Sequence, residues 1–233
     1  MKANTLIFTA TYNEADNIIN FIQEIELLNL DLDLLIIDDN SPDNTSLIIT
    51  KHIPKKIKIN LIKRDKKLGL DTAHKLAYNY ALNNSYKYLI TMDADMSHNP
   101  KEIINFLKNL NTHKFVIGSR YIKGGSCNMN GLRLFLSVYG NKFIKFIFRI
   151  NCNEFTTSYR GFDLTSLNNF NLNMIKSKGY SFFMETLYLL HKKNIFIKEI
   201  PISFLDRTKG TSKIPKNEIF RTLFNLFKLK LLS

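Results

Sequence analysis

The sequence predicts an α/β fold with a mainly parallel central sheet flanked by helices. Short apolar runs of strand length alternate with amphipathic runs of helix length, several strands end in polar clusters, and no repeat or low-complexity linker interrupts the first half. Thr5 to Thr11 is an apolar strand, and Asn17 to Leu28 repeats its isoleucines at helical spacing. Leu34 to Asp38 is a second buried strand, Asp43 to His52 a helix, and Ile57 to Ile62 a third strand. Thr72 to Leu82 reads as helix and Tyr86 to Met92 as the next strand. Pro100 opens another helix, where its missing N–H costs nothing, and Phe115 to Gly118 adds a further short strand.

In open sheets of this kind, ligands gather beyond the carboxyl ends of the strands. Three such ends are polar here: Thr11-Tyr12-Asn13-Glu14, Asp38-Asp39-Asn40-Ser41-Pro42-Asp43 and Asp93-Ala94-Asp95. Strand alternation sends Asp93 and Asp95 to one side, where two carboxylates repel unless a cation lies between them. Oxygen ligands suit Mg²⁺ or Mn²⁺, which takes its remaining ligands from water and substrate phosphates. In isolation an Asp-x-Asp pair better suits a turn that caps the following helix, and it is the rest of the chain that reverses that preference. Tyr12, Glu14 and Asp39 supply the aromatic wall and acceptors that a nucleoside requires. Asp43 reads better as a turn and capping residue, and His98, a lone histidine beside a turn, stays outside the metal set.

With 233 residues and 45% hydrophobic content, the chain is expected to form a single domain over 1–233. Two cysteines, Cys127 and Cys152, and no recognisable signal peptide fit a reducing, cytoplasmic setting. Lys142, Lys145 and Arg149 interrupt the strongest candidate for a membrane span, so none is expected. The net charge of +13 is spread along the chain and suits polyanionic substrates or an anionic membrane surface. Nucleic acid is not an expected partner, because Asp93 and Asp95 would repel phosphates in a basic groove without metal.

Six ordered blocks then resemble a known family. They are Thr11-Tyr12-Asn13-Glu14, Asp38-Asp39-Asn40-Ser41-Pro42-Asp43, Met92-Asp93-Ala94-Asp95-Met96-Ser97-His98, Gly118-Ser119-Arg120-Tyr121, Gly179-Tyr180-Ser181-Phe182, and Pro201-Ile202-Ser203-Phe204-Leu205-Asp206-Arg207 through Ser212-Lys213. Together they make the chain similar to glycosyltransferases of family two, in the dolichol-phosphate mannosyltransferase branch. The resemblance covers nearly the whole chain and implies a GT-A type nucleotide-sugar fold that passes mannose from GDP-mannose to a membrane polyprenyl phosphate. It implies that Ala10, Tyr12, Glu14, Ile37, Asp39, Asp93 and Ala94 hold the donor nucleotide. Asp93, Asp95 and Ser97 would organise Mg²⁺ or Mn²⁺ and the diphosphate, with Arg207 and Lys213 closing over the phosphates. Asp95, Arg120, Arg133 and Ser137 carry the implied catalytic roles, the last three receiving the acceptor phosphate.

A phosphate monoester carries close to two charges and pairs strongly with guanidinium groups, which suits these arginines. An acceptor already anionic needs no strong general base, so positioning and charge control should dominate a single inverting displacement. Two alternatives stay open: transfer from UDP-glucose or another UDP-hexose, and a metal-dependent nucleotidyltransferase. The second would be expected to show a glycine-rich phosphate loop after the first strand, where this chain has Tyr12-Asn13-Glu14.

The chain departs from the family pattern at Glu154-Phe155-Thr156-Thr157-Ser158-Tyr159-Arg160, where relatives more often read Asp-x-Thr-Ser-Gly-Phe-Arg. Glu154 is one methylene longer than the usual acid, and Ser158 replaces a glycine that could have required positive φ. Ala10 stands in place of the usual proline, and Asp71 within the usual Gly-Leu-Gly. Two stretches, 132–149 and 219–232, are expected to lie along a bilayer surface, with core packing an equal alternative for the second. A separate membrane-anchoring protein remains an open partner.

Overall fold

A computed structural model describes residues 3–205 and 225–230 of the chain. The strands are β1 (Thr5–Thr11), β2 (Leu32–Asp38), β3 (Lys58–Lys63), β4 (Tyr88–Thr91), β5 (Phe115–Ser119), β6 (Ser126–Cys127), β7 (Arg160–Asp163), β8 (Ile197–Pro201) and β9 (Ser203–Phe204). The helices are α1 (Ile18–Leu27), α2 (Thr45–Lys51), α3 (Leu70–Asn83), α4 (Ile103–Leu110), α5 (Gly131–Phe148), α6 (Ser181–Lys192) and α7 (225–230).

Seven strands form one sheet in the order β3-β2-β1-β4-β7-β5-β8, with β7 antiparallel to both neighbours and every other pairing parallel. The mainly parallel sheet is therefore as the alternation predicts. Residue alternation divides the core between the two faces of this sheet. Leu6, Phe8, Leu35 and Ile37 pack with α3 and α6 on one face, while Ile7, Leu34 and Ile36 pack with α1, α2 and α4 on the other.

Observed boundaries differ from the expected ones for local reasons. The strand predicted from Tyr86 starts at Tyr88, because the Tyr86 N–H still bonds the Ala81 carbonyl at the end of α3. The second half holds the elements that the sequence pattern did not single out: β7, α6 and β8. Arg160-Gly161-Phe162-Asp163 lacks an apolar strand signature, yet it is fully buried. Gly161 admits α4 to close range, since a Cβ there would lie 3.0 Å from both Leu110 and Phe106 side chains. Arg160 is satisfied by the carbonyls of Phe155, Thr157 and Phe183 at 2.9 to 3.0 Å, and burial lowers its pKa to about 9.

The helix expected over 132–149 is α5, and its packing is unusual. Only Asn141, Ile144 and Phe148 are buried along its 18 residues. Leu132, Phe135, Leu136, Tyr139, Phe143 and Phe146 recur at helical spacing on the opposite side and are exposed, Leu132 to 72% and Phe146 to 77%. The second stretch falls mostly outside the described residues. Its described part, α7, packs Leu226 fully into the core and leaves Phe227 exposed. Among the described residues no helix is long and apolar enough to cross a membrane.

Candidate active site

Strand order reverses at β1, which pairs with β2 on one side and β4 on the other. The crevice beyond that switch point is where a ligand of such a sheet sits. The three polar strand ends lie side by side there, past β2, β1 and β4, and a buried network ties the first two together. Asp38 accepts hydrogen bonds from Thr11 at 2.8 Å, from Ser46 at 2.7 Å and from the Ser41 amide at 3.0 Å, so it joins the ends of β1 and β2 to α2. Asp43 accepts from the amides of Ala15 and Thr45, in keeping with a turn and capping role.

The residues expected at the nucleoside lie around this network. Lys67 sits 3.9 Å from the centre of the Tyr12 ring. Glu14 accepts from Asn17 at 2.8 Å. Asp39 pairs with Arg64, a buried residue just beyond β3, and also accepts from the Gly69 amide at 3.2 Å. Arg64 further donates to Thr72 at 2.6 Å, tying the start of α3 to Asp39. Its position after an exposed edge strand gave no sign of this role in the sequence. Ala10 is half-buried against the core. Ile37 and Ala94, expected at the nucleotide, have side chains buried in the core on opposite faces of the sheet, so only their backbone could face a ligand.

Asp93 and Asp95 lie just past β4 in a bend that places Met96 at φ 64°, not on the strand itself. The two carboxylates are held differently. Asp95 is buried, and its Oδ1 accepts from the Ser97 amide at 3.0 Å and hydroxyl at 2.5 Å. Ser97, expected among the metal-organising groups, thus acts in this structure as a donor to Asp95. Asp93 has a 39% exposed side chain, and its Oδ1 accepts from the Ser158 hydroxyl at 2.6 Å. Its amide donates to Nδ1 of His98 at 3.1 Å. That bond places the imidazole proton on Nε2, which donates to the Thr157 hydroxyl at 3.2 Å. Burial lowers the pKa of His98 despite the nearby acids, so the ring is neutral and both its nitrogens are engaged.

Arg120, just past β5, forms a bidentate pair with the fully buried Glu154, at 2.7 and 2.8 Å, and reaches the Thr156 hydroxyl at 3.1 Å. Burial works against both charges; the pairing overcomes it, holding Glu154 below and Arg120 above their ordinary pKa values. The next residue, Tyr121, shares a 2.7 Å hydrogen bond with Ser137 on α5. Arg133 lies one turn earlier on that helix and is exposed. Arg207 and Lys213 fall outside the described residues. One segment, 154–158, therefore touches Asp93, His98 and Arg120, and it carries the departures Glu154 and Ser158. Ser158 does not adopt a positive φ, so the side chain enters without backbone strain.

Among the described residues no group of three or more His, Cys, Asp or Glu side chains could enclose a metal ion. Two acids alone suit Mg²⁺ or Mn²⁺ bound jointly with a diphosphate, the donor set expected of such an ion. An open, mainly parallel sheet with paired acids at its switch point and an arginine nearby has the arrangement of a GT-A glycosyltransferase fold. The chain belongs to Glycosyl transferase family 2, whose profile matches residues 6–170. It is 29% identical over 225 residues to the polyprenol monophosphomannose synthase of Mycolicibacterium smegmatis, covering 95% of this chain and 85% of that protein. It is also 29% identical over 227 residues to the undecaprenyl-phosphate mannosyltransferase of Micrococcus luteus, covering 97% and 93%. Its fold matches the glucosyl-3-phosphoglycerate synthase of Mycobacterium tuberculosis in complex with Mn²⁺, UDP-glucose and glycerol 3-phosphate, with a TM-score of 0.64, 14% identity, and coverage of 97% and 79%.

Proposed function

We propose that the chain transfers mannose from GDP-mannose to a polyprenyl phosphate, inverting the anomeric centre, with Mg²⁺ or Mn²⁺ at Asp93 and Asp95. The observation that carries this reading is the joining of Asp93, one of the paired acids, to Arg120 through the single segment 154–158. The names of the two relatives supply mannose and the lipid phosphate. A bound divalent ion would neutralise the charge gathering on the departing diphosphate.

Asp93 and Asp95 would hold such an ion, which would supply charge neutralisation for the diphosphate, while Tyr12, Glu14 and Asp39 line the nucleoside. Ala10, Ile37 and Ala94 form the floor. Arg120, Arg133 and Ser137 receive the acceptor phosphate, with Arg120 aimed by Glu154. Arg207 and Lys213 carry the proposed closure over the donor phosphates. The acceptor oxygen is already anionic, so no residue of this chain has to remove a proton. Transfer of a UDP-hexose to the same lipid is the second reading, favoured by the UDP-glucose complex of the fold neighbour.

The test is transfer of radiolabelled sugar from GDP-mannose, with UDP-glucose in parallel, to short-chain polyprenyl phosphate. Label entering lipid from GDP-mannose, abolished by a chelator, is the expected result. A preference for UDP-glucose overturns the donor, and no transfer from either overturns the reaction.

The exposed stripe of α5 gives the acceptor its setting at a membrane surface, on the cytoplasmic side. Lys142, Lys145 and Arg149 flank that stripe and suit anionic headgroups. Phe135→Asp combined with Phe146→Asp is expected to lower binding to anionic phospholipid vesicles by at least about 10-fold in co-sedimentation. The melting temperature should stay near that of the parent, because both side chains are exposed. Parent protein that ignores vesicles would point instead to a separate anchoring protein.

A further inference from the structure

We propose that Ser158 is a positioning residue for Asp93, its hydroxyl setting the carboxylate that the divalent cation and donor diphosphate meet. The assignment rests on the metal-dependent reading above.

Ser158 is anchored from both ends of its residue. Its carbonyl accepts from the hydroxyl of Thr91, the buried last residue of β4, and its own hydroxyl donates to Asp93 Oδ1 at 2.6 Å, two residues further along. The neighbouring Thr157 reaches the same acid by a second route, through Nε2 of His98, whose Nδ1 takes the Asp93 amide at 3.1 Å. Two consecutive residues thus fix Asp93 at backbone and side chain. Asp95 is held within its own turn by the amide and hydroxyl of Ser97.

This asymmetry matters because Asp93 is the more exposed acid and would otherwise sample several χ1 rotamers. A hydrogen bond to Oδ1 selects one rotamer, in which Oδ2 lies 3.9 Å from Nδ1 of the neutral His98 ring and is not bonded to Ser158. Carboxylates that ligate metals typically depend on such outer partners, whose loss weakens metal affinity by about 10- to 100-fold. Ser158 is also nearly inaccessible, so water cannot readily take over the hydroxyl's role.

The experiment is titration of Mn²⁺ in the presence of GDP, followed by the electron paramagnetic resonance signal of free Mn²⁺. Parent protein, Asp95→Ala, Ser158→Ala and Ser158→Gly are compared, each with its metal-free melting curve. Both Ser158 variants should bind Mn²⁺ about 10-fold more weakly while melting close to the parent. In an Asp93→Asn background, adding Ser158→Ala should cause no further loss, which a merely structural role would not predict.

Parent-like Mn²⁺ affinity in the Ser158 variants, with affinity lost in Asp95→Ala, overturns the role of Ser158 and leaves the metal reading standing. An equal loss on adding Ser158→Ala to Asp93→Asn also overturns it. Absence of Mn²⁺–GDP binding by the parent overturns the metal reading and this assignment with it.

Discussion

Replacing Asp95 with alanine is expected to reduce sugar transfer by about 10²- to 10³-fold, the scale of losing one preorganised electrostatic contact in a transition state. Asp95 is buried and accepts both the amide and the hydroxyl of Ser97. The substitution therefore removes a proposed metal ligand and also leaves two donors without their acceptor. Leaving buried groups unsatisfied costs about 1–3 kcal/mol, which would appear in the melting curve whatever the protein does. Asp95→Asn separates the two effects, because its carbonyl oxygen can still accept from Ser97 while the charge is gone. Transfer assays and denaturant melts on both variants check this. Near-parent transfer by a folded Asp95→Asn protein would sink the proposal that this acid carries the diphosphate through a cation.

Glu154→Gln is expected to cause the largest loss of stability. Glu154 has no exposed surface and its partner Arg120 is almost as deeply buried. Removing one partner of a buried pair leaves an uncompensated charge and costs about 3–5 kcal/mol. The sign of the pH effect follows from the lowered pKa of Glu154. Burial alone would raise it, but Arg120 together with the amide and hydroxyl of Thr156 hold it below the ordinary 4.5. The contribution is fully present above that ordinary value and is lost as pH falls through the lower folded value. Parent protein should accordingly lose stability on acidification, and Glu154→Gln should lose less over the same range. Urea melts at neutral pH and in the acid range test both points. A variant as stable as the parent at neutral pH would refute the structural weight given to this pair.

The first half of the molecule was legible in the sequence because its signals are local. The strands from Thr5 and Leu34 are continuous apolar runs, and burial on both sheet faces demands that composition. Asp43 could be read as a turn residue because one partner, the Thr45 amide, lies two residues on, whereas its bond from the Ala15 amide comes from 28 residues away and left no local mark. By contrast β7 was hidden: its arginine is satisfied by carbonyls from two other segments, and its glycine makes room for α4. Arg64 was hidden in the same way, since its partner Asp39 comes from a neighbouring strand end.

By itself the sequence determined the α/β class, the three polar strand ends, the paired acids and the amphipathic run that becomes α5. These follow from residue type and spacing along a few turns or strands of chain. Only the tertiary structure decided that Asp93 is oriented by Ser158 and Arg120 by Glu154, that Ile37 and Ala94 turn into the core, and that the apolar stripe of α5 is left exposed among the described residues. Those outcomes depend on contacts between residues 34 to 65 positions apart, and on the packing of whole faces, neither of which is encoded in any local pattern.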